Sequence, residues 1–270
     1  MKADSQTLSN QEKFIQKHHR HHRQIFSARI ILLLAFLALW EISSGLGLID
    51  SFFFSSPSRV IMCIVKLWTE NMLSLHIGVT LVETLVSFLL VFLISLLFST
   101  LLWYSDKLSE ILEPYLVLLN SLPKSALAPL FIVWLGTGFT TIVVAGISVA
   151  LFGSIISFYT GFQQCDPEKI TLIYTLGGTK KDAFRKVIFP SSIPIMISTT
   201  KVNIGLSLVG VIIGEFLAAR RGLGYLIIYG SQVFQLDMVI TSILLLCIIS
   251  MGFYKGIQIA EQQIHKQLKA

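Results

Sequence analysis

Few residues of this chain are of a type that does chemistry, because only 13% of its 270 residues are charged. The stretch KHHRHHR, residues 17–23, could bind zinc or nickel through its imidazoles, or lie as a basic patch against anionic lipid. These histidines sit among cations and adjoin no thiolate or carboxylate, which favours membrane lipid as the partner. Cys63, Cys165 and Cys247 are widely spaced and predict free thiols. We therefore expect no metal and no cofactor.

A second candidate for chemistry is GGTKK, residues 177–181, which superficially resembles a phosphate-binding loop. Such a loop requires the pattern GxxxxGK[ST] after a buried strand, and the sequence contains no match to that pattern. The chain is therefore not expected to hydrolyse ATP. We predict no catalytic residue and a protein that is not an enzyme.

The remaining candidates are polar side chains inside strongly apolar segments, where an ionisable group is costly and by default suggests a function. The candidates for lining a solute pathway are Asn120, Lys124, Lys201, Asn203 and Glu215. For Lys124 a structural role is equally open, and for Glu215 a gate or packing role is favoured over solute binding. Glu83 is expected to have a structural role, either near a helix end with its carboxylate reaching the membrane surface or paired with a neighbouring helix. The acids and bases balance, so they do not predict the charge of a solute.

These side chains must be positioned by membrane-spanning helices. The chain is 54% hydrophobic with a mean hydropathy of +0.75, whereas a soluble domain has about 25% charged residues. A span needs about 20 apolar residues, and the candidates are 28–48, 77–103, 114–135, 140–162, 194–217 and 238–259. The third contains Pro123 and Pro129 and could be a broken or a re-entrant span. The prediction is an all-α polytopic membrane protein with about six transmembrane helices.

The distribution of basic residues predicts the orientation. They concentrate before the first span, between the fourth and fifth, and after the last, which the positive-inside rule places in the cytoplasm. We expect a basic cytoplasmic N-terminal tail at 1–27 and a transmembrane domain at 28–264. Within that domain a cytoplasmic loop covers 164–193, and a cytoplasmic C-terminal tail follows at 265–270. Both termini of this multi-pass cell-membrane protein would be cytoplasmic.

The loop at 164–193 interrupts the apolar pattern with two short predicted helices. Asp166 and Pro167 are typical of a helix start, and Gly177 with Gly178 predicts its end. Thr179 followed three residues later by an aspartate predicts a capping box for the second helix. We expect the apolar face of that helix to be formed by Ala183, Phe184, Val187 and Ile188, and the helix to end at Pro190. Composition alone leaves two functions open, which are anchoring to lipid and docking of a partner.

Several stretches in order resemble binding-protein-dependent ABC transporter permeases. The family's cytoplasmic coupling loop, which runs from Glu-Ala-Ala through a glycine to Leu-Pro, is similar to TLIYTLGGTKKDAFRKVIFPSSIP. Its other segments are similar to FSSPSRV (54–60), HIGVTLVETLVSFLL (76–90), LNSLPKSALAPLFIVWLGTG (119–138) and GEFLAARRGLGYLI (214–227). The resemblance covers most of the chain. Within the family, it is strongest to the group that imports nitrate, taurine, alkanesulfonates and related small organics.

The resemblance implies the permease subunit of an importer for a sulfonate, taurine, nitrate or a related small solute. It implies as partners a separate ATPase subunit, an extracytoplasmic solute-binding protein and a second permease copy in a homodimer, with no role for nucleic acid. The implied coupling residues are Thr171, Leu176, Gly177, Gly178, Lys180, Lys181, Phe184, Arg185 and Pro190. Phe184 would be the buried anchor in the ATPase, and Lys180, Lys181, Arg185 and Lys186 would orient the rim.

One departure from the family concerns Thr171, which stands where the coupling loop has its glutamate. The acidic residue expected to position the loop is therefore absent. Two other classes stay open: an ATP-independent secondary transporter, which would often show inverted repeats, and a non-transporting membrane scaffold. Neither explains both the charged loop and the proline-interrupted third span.

Overall fold

The protein is an assembly of helices. The computed structural model describes residues 10–269, with side chains described for residues 24–263. The helices are α1 (Asn10–Gly45), α2 (Ser51–Phe54), α3 (Pro57–Thr69), α4 (Met72–Tyr104), α5 (Asp106–Ser121), α6 (Lys124–Leu135), α7 (Phe139–Gln163), α8 (Pro167–Thr175), α9 (Lys180–Ala183), α10 (Phe189–Ala218), α11 (Leu223–Gln232) and α12 (Leu236–Lys269). A π-helical turn, Phe184–Ile188, joins α9 to α10. No strand occurs within 10–269, which confirms the all-α prediction.

Five helical segments are long and apolar enough to cross a membrane: Gln24–Gly45, Met72–Tyr104, Phe139–Gln163, Lys180–Ala218 and Leu236–Gln263. The pair α5 and α6 passes the same test together but is bent by 96°. The bend lies at Pro123, because proline disfavours the helical conformation of the residue before it, and Leu122 is extended. Pro129, which the sequence also suggests as an interruption, lies inside α6 without breaking it.

The chain divides into two compact units, Met1–Cys63 and Ile64–Ala270. In the first unit, α1 begins at Asn10, so the segment predicted as an N-terminal tail is helical from that residue. The side chains of the KHHRHHR stretch and of residues 264–270 lie outside the described part, and their predicted contact with lipid is untested. The Glu41 carboxylate of α1 accepts hydrogen bonds from the Ser58 backbone N–H and hydroxyl, at 3.0 and 2.8 Å.

In the second unit, α7 lies between α4 and α10 and packs along both. Helices in a membrane associate closely where small residues let their backbones approach. Gly210 of α10 faces the Ala145 carbonyl and the Gly146 Cα of α7, where an added Cβ would meet atoms at 2.7 and 2.8 Å. Gly214, one turn further along α10, faces the Ile142 Cα in the same way at 2.9 Å. The α7–α10 crossing therefore depends on glycine.

We predict that Gly210→Ala lowers the stability of the protein. The added methyl group would meet backbone atoms that cannot move aside, and overpacking of this kind costs about 1–3 kcal/mol. The thermal unfolding midpoint of the detergent-purified protein measures the effect. The matched control is Gly205→Ala in the same helix, where nothing lies within 4 Å of the added Cβ. Equal midpoints for the two variants would contradict the close crossing.

Candidate functional site

The first functional candidate is the elbow, residues 166–188, formed by α8, α9 and the π turn. Helix α8 begins as predicted, since the Asp166 side chain accepts the Glu168 N–H at 2.9 Å and Pro167 occupies the first turn. At its end the Gly178 N–H donates to the Ile173 carbonyl at 2.9 Å. Gly177 has a φ of +79°, which favours glycine. A side chain at Gly178 would overlap Ile173, whose carbonyl oxygen would lie 2.8 Å from an added Cβ. Both glycines are thus required by the turn that the sequence predicts.

The second part of the elbow begins with the predicted capping box. The Asp182 N–H donates to the Thr179 hydroxyl at 3.3 Å, and the Thr179 N–H donates to the Asp182 carboxylate at 3.0 Å. Lys186 pairs with the same carboxylate at 3.4 Å. These contacts fix the first turn of the helix that leads back into the membrane.

The expectation that Pro190 ends this helix is wrong, because Pro190 lies in the first turn of α10, which continues to Ala218. Proline has no N–H and cannot bond the carbonyl four residues earlier. The π turn Phe184–Ile188 lies at this place, and the Phe189 N–H donates across it to the Phe184 carbonyl. Such turns are rare and occur often at functional sites. The elbow and α10 are therefore continuous.

The sequence predicts Phe184 as the side chain that would be buried in the ATPase, and that role stays a prediction. The Phe184 ring is half-buried within this chain, with centroids 5.2 Å from Trp103, 5.5 Å from Tyr104 and 5.4 Å from Phe162. Lys180 joins the same group, since its Nζ donates to the Tyr104 carbonyl at 3.1 Å and lies 5.2 Å from the Trp103 ring centre. We call Trp103, Tyr104, Phe162 and Phe184 the aromatic cluster. It connects the elbow to the ends of α4 and α7.

The elbow also exposes apolar side chains. Leu172 is 56% exposed and Leu176, one helical turn later, is 75% exposed, while Tyr174, 45% exposed, lies on the other side of α8. The sequence indicated Leu176 but missed Leu172, whose signal was its position one helical turn before Leu176. Thr171 is also exposed, and its hydroxyl donates to the Pro167 carbonyl at 2.9 Å. Among the predicted cations, Lys181, Arg185 and Lys186 are exposed.

The structure places two of the predicted pathway residues against adjacent positions of α7, since a Cβ added at Gly153 would lie 3.2 Å from the Asn120 Oδ1 atom and Asn203 contacts Ser154. Asn203 is buried and donates to the Ser154 hydroxyl at 2.7 Å, which joins α10 to α7. Lys201 pairs with Glu261 of α12 at 2.5 Å. Lys124 donates to the Asn120 carbonyl at the α5–α6 bend. Each of these contacts satisfies a polar group locally, and a pathway role stays a prediction.

The second functional candidate surrounds Glu215, which is 1% exposed. The Thr80 hydroxyl donates to one carboxylate oxygen at 2.6 Å, and the Gly224 N–H donates to the other at 2.5 Å. The same hydroxyl accepts the Leu223 N–H at 2.8 Å. Gly222 has a φ of +117°, and any side chain there would overlap the Glu215 carboxylate. The carboxylate therefore holds the loop between α10 and α11 against α4.

His76 adds a further contact to this loop. Its Nδ1 lies 2.9 Å from the Gly222 N and 3.0 Å from the Gly222 O, so it accepts from the N–H in one tautomer or donates to the carbonyl in the other. The imidazole stacks on Tyr225, with ring centres 6.1 Å apart and an interplanar angle of 4°. His76 was not among the predicted site residues. The sequence feature that could have identified it is its position as a lone titratable group beside an apolar segment.

Glu83 of α4 lies beside a second acid of a neighbouring helix. It is 3% exposed and is close to Glu215 of α10. The Glu83 Oε2 atom is buried and has no hydrogen-bond partner within the part of the chain that the structure describes.

Comparisons with known proteins agree with this architecture. The family model described as "Binding-protein-dependent transport system inner membrane component" matches residues 91–259. A probable ABC transporter permease protein of Haemophilus influenzae is 28% identical over 222 residues, which cover 82% of this chain and 89% of that relative. The formylaminopyrimidine transport permease protein ThiX of Halalkalibacterium halodurans is 27% identical over 195 residues, covering 72% of this chain and 77% of ThiX.

Two further similarities cover most of the chain. The putative aliphatic sulfonates transport permease protein SsuC of Bacillus subtilis is 22% identical over 237 residues, covering 88% of this chain and 86% of SsuC. The crystal structure of an amino acid ABC transporter with histidines matches with a TM-score of 0.60 at 19% identity, covering 75% of this chain and 97% of that one. The structural match shows a shared fold.

We predict that Thr80→Val loosens the loop that follows α10. The substitution keeps the shape of the side chain but leaves the Leu223 N–H without its acceptor and Glu215 without a donor, at a cost of about 1–3 kcal/mol. Hydrogen exchange of the peptide spanning residues 219–227 measures the change. Thr80→Ser, which keeps the hydroxyl, is the control and should exchange like the unmodified protein. Unchanged exchange in Thr80→Val would contradict the assigned hydrogen bonds.

Proposed function

The chain belongs to the family of binding-protein-dependent transport system inner membrane components, and on that premise we propose that it forms the translocation pathway of an ABC importer for a small solute. A separate ATPase subunit would supply the energy, and an extracytoplasmic binding protein would deliver the solute. Relatives named for aliphatic sulfonates and for formylaminopyrimidine support a small organic solute, with nitrate and taurine in the same range. A second copy of the chain would complete the pathway.

The observation that carries this proposal is the family match over 91–259, which includes the whole elbow. An importer permease needs a surface through which a cytoplasmic ATPase moves it, and the elbow presents an exposed apolar face beside cations. Of the two alternatives that the sequence leaves open, a secondary transporter gives this surface no function, and a scaffold could use it but does not explain the proline-interrupted third span. Family membership therefore favours the importer over both.

The cytoplasmic location of the elbow is supported by its contact with the end of α4. The Lys180 Nζ donates to the Tyr104 carbonyl, so both belong to the same side of the membrane. Between them lie the bent pair α5–α6 and α7, and α7 is long and apolar enough to cross the membrane once. A single crossing by α7 would place the elbow on the opposite side from Tyr104, so the bent pair must cross as well. Six crossings follow, and with the basic residues of the elbow they favour cytoplasmic termini.

We assign the docking of the ATPase to the exposed apolar face of the elbow, which comprises Leu172 and Leu176. Exposed apolar side chains on a rigid turn are suited to fill a pocket of a partner, while Lys181 and Arg185 would set its orientation. The Thr171 hydroxyl is bonded within α8, so we expect the cations, and not Thr171, to orient the ATPase. The aromatic cluster lies on the opposite face and would transmit the movement of the elbow to α4 and α7.

We expect Leu176→Asp to release the ATPase. Replacing a central apolar side chain by a charge at such an interface costs at least about 2 kcal/mol, or roughly 30-fold in affinity. Co-purification of the candidate ATPase with the tagged permease measures the loss. The control is Phe234→Asp, which is 68% exposed with a φ of +57° and lies beyond α11, outside the elbow. Retention of the ATPase by Leu176→Asp would overturn the assigned face.

Phe184→Ala should behave differently, because its ring lies inside the aromatic cluster and away from the docking face. We expect the ATPase to co-purify, while transport per ATP hydrolysed falls, since the elbow loses its packing against α4 and α7. Reconstituted vesicles containing the complete transporter give both rates from one sample. Phe184→Tyr, which keeps the ring, should retain most of the coupling. Loss of co-purification in Phe184→Ala with a folded elbow would instead return Phe184 to the interface.

A further inference from the structure

The segment that follows α1, residues 46–58, exposes apolar side chains although it lies beyond the span Gln24–Gly45. Leu46, Leu48 and the three phenylalanines of α2 are each between 45% and 74% exposed. We call residues 46–58 the phenylalanine segment, and it belongs to the first compact unit. The described part of the chain leaves these side chains open, so water, lipid or another protein must cover them.

Hydrogen bonds hold the phenylalanine segment beside the last turns of α1. The Trp40 indole N–H donates to the Phe54 carbonyl at 3.2 Å. The Glu41 carboxylate, one residue further along α1, accepts the Ser58 N–H and hydroxyl. Trp40 and Glu41 lie inside the apolar span Gln24–Gly45. The segment therefore folds back along α1 and lies at the depth of its last turns, not beyond its end.

The length of α1 agrees with this depth. Arg29 is the last basic residue before the apolar run of the first span. Counted from Arg29, a helix that crosses the hydrocarbon reaches the far boundary near Ile49, about 20 residues later. Helix α1 ends at Gly45, before that boundary. The chain thus leaves the helix while it is still within the membrane, and on the proposed orientation this is the outer leaflet.

The backbone of the segment is bonded as such a position requires. The N–H groups of Leu46 and Leu48 donate to carbonyls of the last turn of α1 at 2.8 and 3.0 Å. Those of residues 52–55 bond to Asp50 or Ser51. A backbone N–H without a partner is costly where water is scarce, whereas a loop in water does not need internal partners. The bonding therefore fits a place at the edge of the hydrocarbon.

Lipid is the occupant that these observations favour. None of the residues in the apolar window of α1 is buried by the described part of the chain. A spanning helix exposed in this way faces lipid, and the phenylalanine segment continues the same exposure beyond Gly45. Aromatic side chains are enriched in membrane proteins at the boundary between hydrocarbon and headgroups. Three consecutive phenylalanines at this depth fit that boundary.

We propose that the phenylalanine segment is inserted in the outer leaflet of the membrane and that its partner is phospholipid. The acyl chains would surround Leu46, Leu48 and the rings of α2, close to the headgroups. The first span would then end in a hydrogen-bonded aromatic turn that binds lipid, and not in a loop in water. This inference requires that α1 spans the membrane, and it goes beyond the proposed importer function.

The depth of Phe53 tests the proposal on the full chain in lipid nanodiscs. Cys63→Ser and Cys247→Ser remove the more accessible thiols, and the buried Cys165 is retained. Phe53→Cys then carries the fluorophore NBD, and the quenchers are phospholipids with a 5-doxyl or a 12-doxyl group and iodide in the water. Two matched controls carry the same label at exposed positions. They are Leu34→Cys in the middle of α1 and Glu70→Cys shortly before α4.

We expect the label at Phe53→Cys to be quenched about two-fold more strongly by 5-doxyl than by 12-doxyl lipid, since the aromatic belt lies near the headgroups. Iodide should have little effect there. Leu34→Cys should show the reverse order of the two lipids, and Glu70→Cys should respond mainly to iodide. Quenching of Phe53→Cys by iodide alone would place the segment in water and overturn the proposal. Protection from iodide and from both lipids would show that a second copy of the chain covers it, which overturns the proposal as well.

The unmodified chain provides a second test, which stands even if a cysteine variant fails to fold. A phospholipid with a photoactivatable diazirine in its acyl chain is crosslinked in the nanodisc, and mass spectrometry locates the modified peptides. Residues 46–54 should be modified about as strongly as residues 30–40 of α1. Residues 106–110, a polar stretch at the start of α5, should not be modified. Modification of α1 without modification of 46–54 overturns the proposal, whether or not the chain binds an ATPase.

Discussion

The structure depends on one constraint, which is that the hydrocarbon of a membrane offers no water to a polar group. Every backbone N–H and C=O in a span must therefore bond within its own helix, and polar side chains must find partners in the protein. The pairs Asn203–Ser154 and Lys201–Glu261 meet this demand between α10 and its neighbours. The Glu215 carboxylate meets it most completely, because each of its oxygens accepts a hydrogen bond from another part of the chain. The Oε2 atom of Glu83 is one of several buried polar atoms that have no hydrogen-bond partner within the described part of the chain.

The elbow combines two surfaces of different chemistry on a segment of fewer than 25 residues. Its inner face is aromatic and packs on the ends of α4 and α7 through Phe184. Its outer face is aliphatic and exposed, with Leu176 at its most accessible point. A segment that merely anchored to lipid would not need a capping box together with two required glycines, one for its positive φ and one because a side chain would overlap Ile173. Two such faces suit a segment that binds a partner on one side and is packed against the helices it would move on the other.

Much of this could be predicted from the sequence where the signal is local. The spans follow from apolar length, and the turn at Gly177 and the cap at Thr179 follow from residue types a few positions apart. The burial of Phe184 could not be predicted, because the rings that cover it, such as Trp103, lie far away in the chain. The proximity of Glu83 to Glu215 was missed for the same reason. The continuity of the helix through Pro190 was also missed, because the sequence does not predict the π turn Phe184–Ile188 that precedes α10.

The close crossing of α7 and α10 has a mechanical consequence. These two helices enter and leave the elbow directly, and at Gly210 and Gly214 their backbones touch with no side chain between them. Two helices packed this closely resist sliding and bending, so we expect α7 and α10 to move as one rigid unit. Helix α10 has 30 residues and is about 45 Å long. A small displacement of the elbow would then tilt the α7–α10 pair as a whole, and the movement would reach the loop at Gly222 almost undiminished.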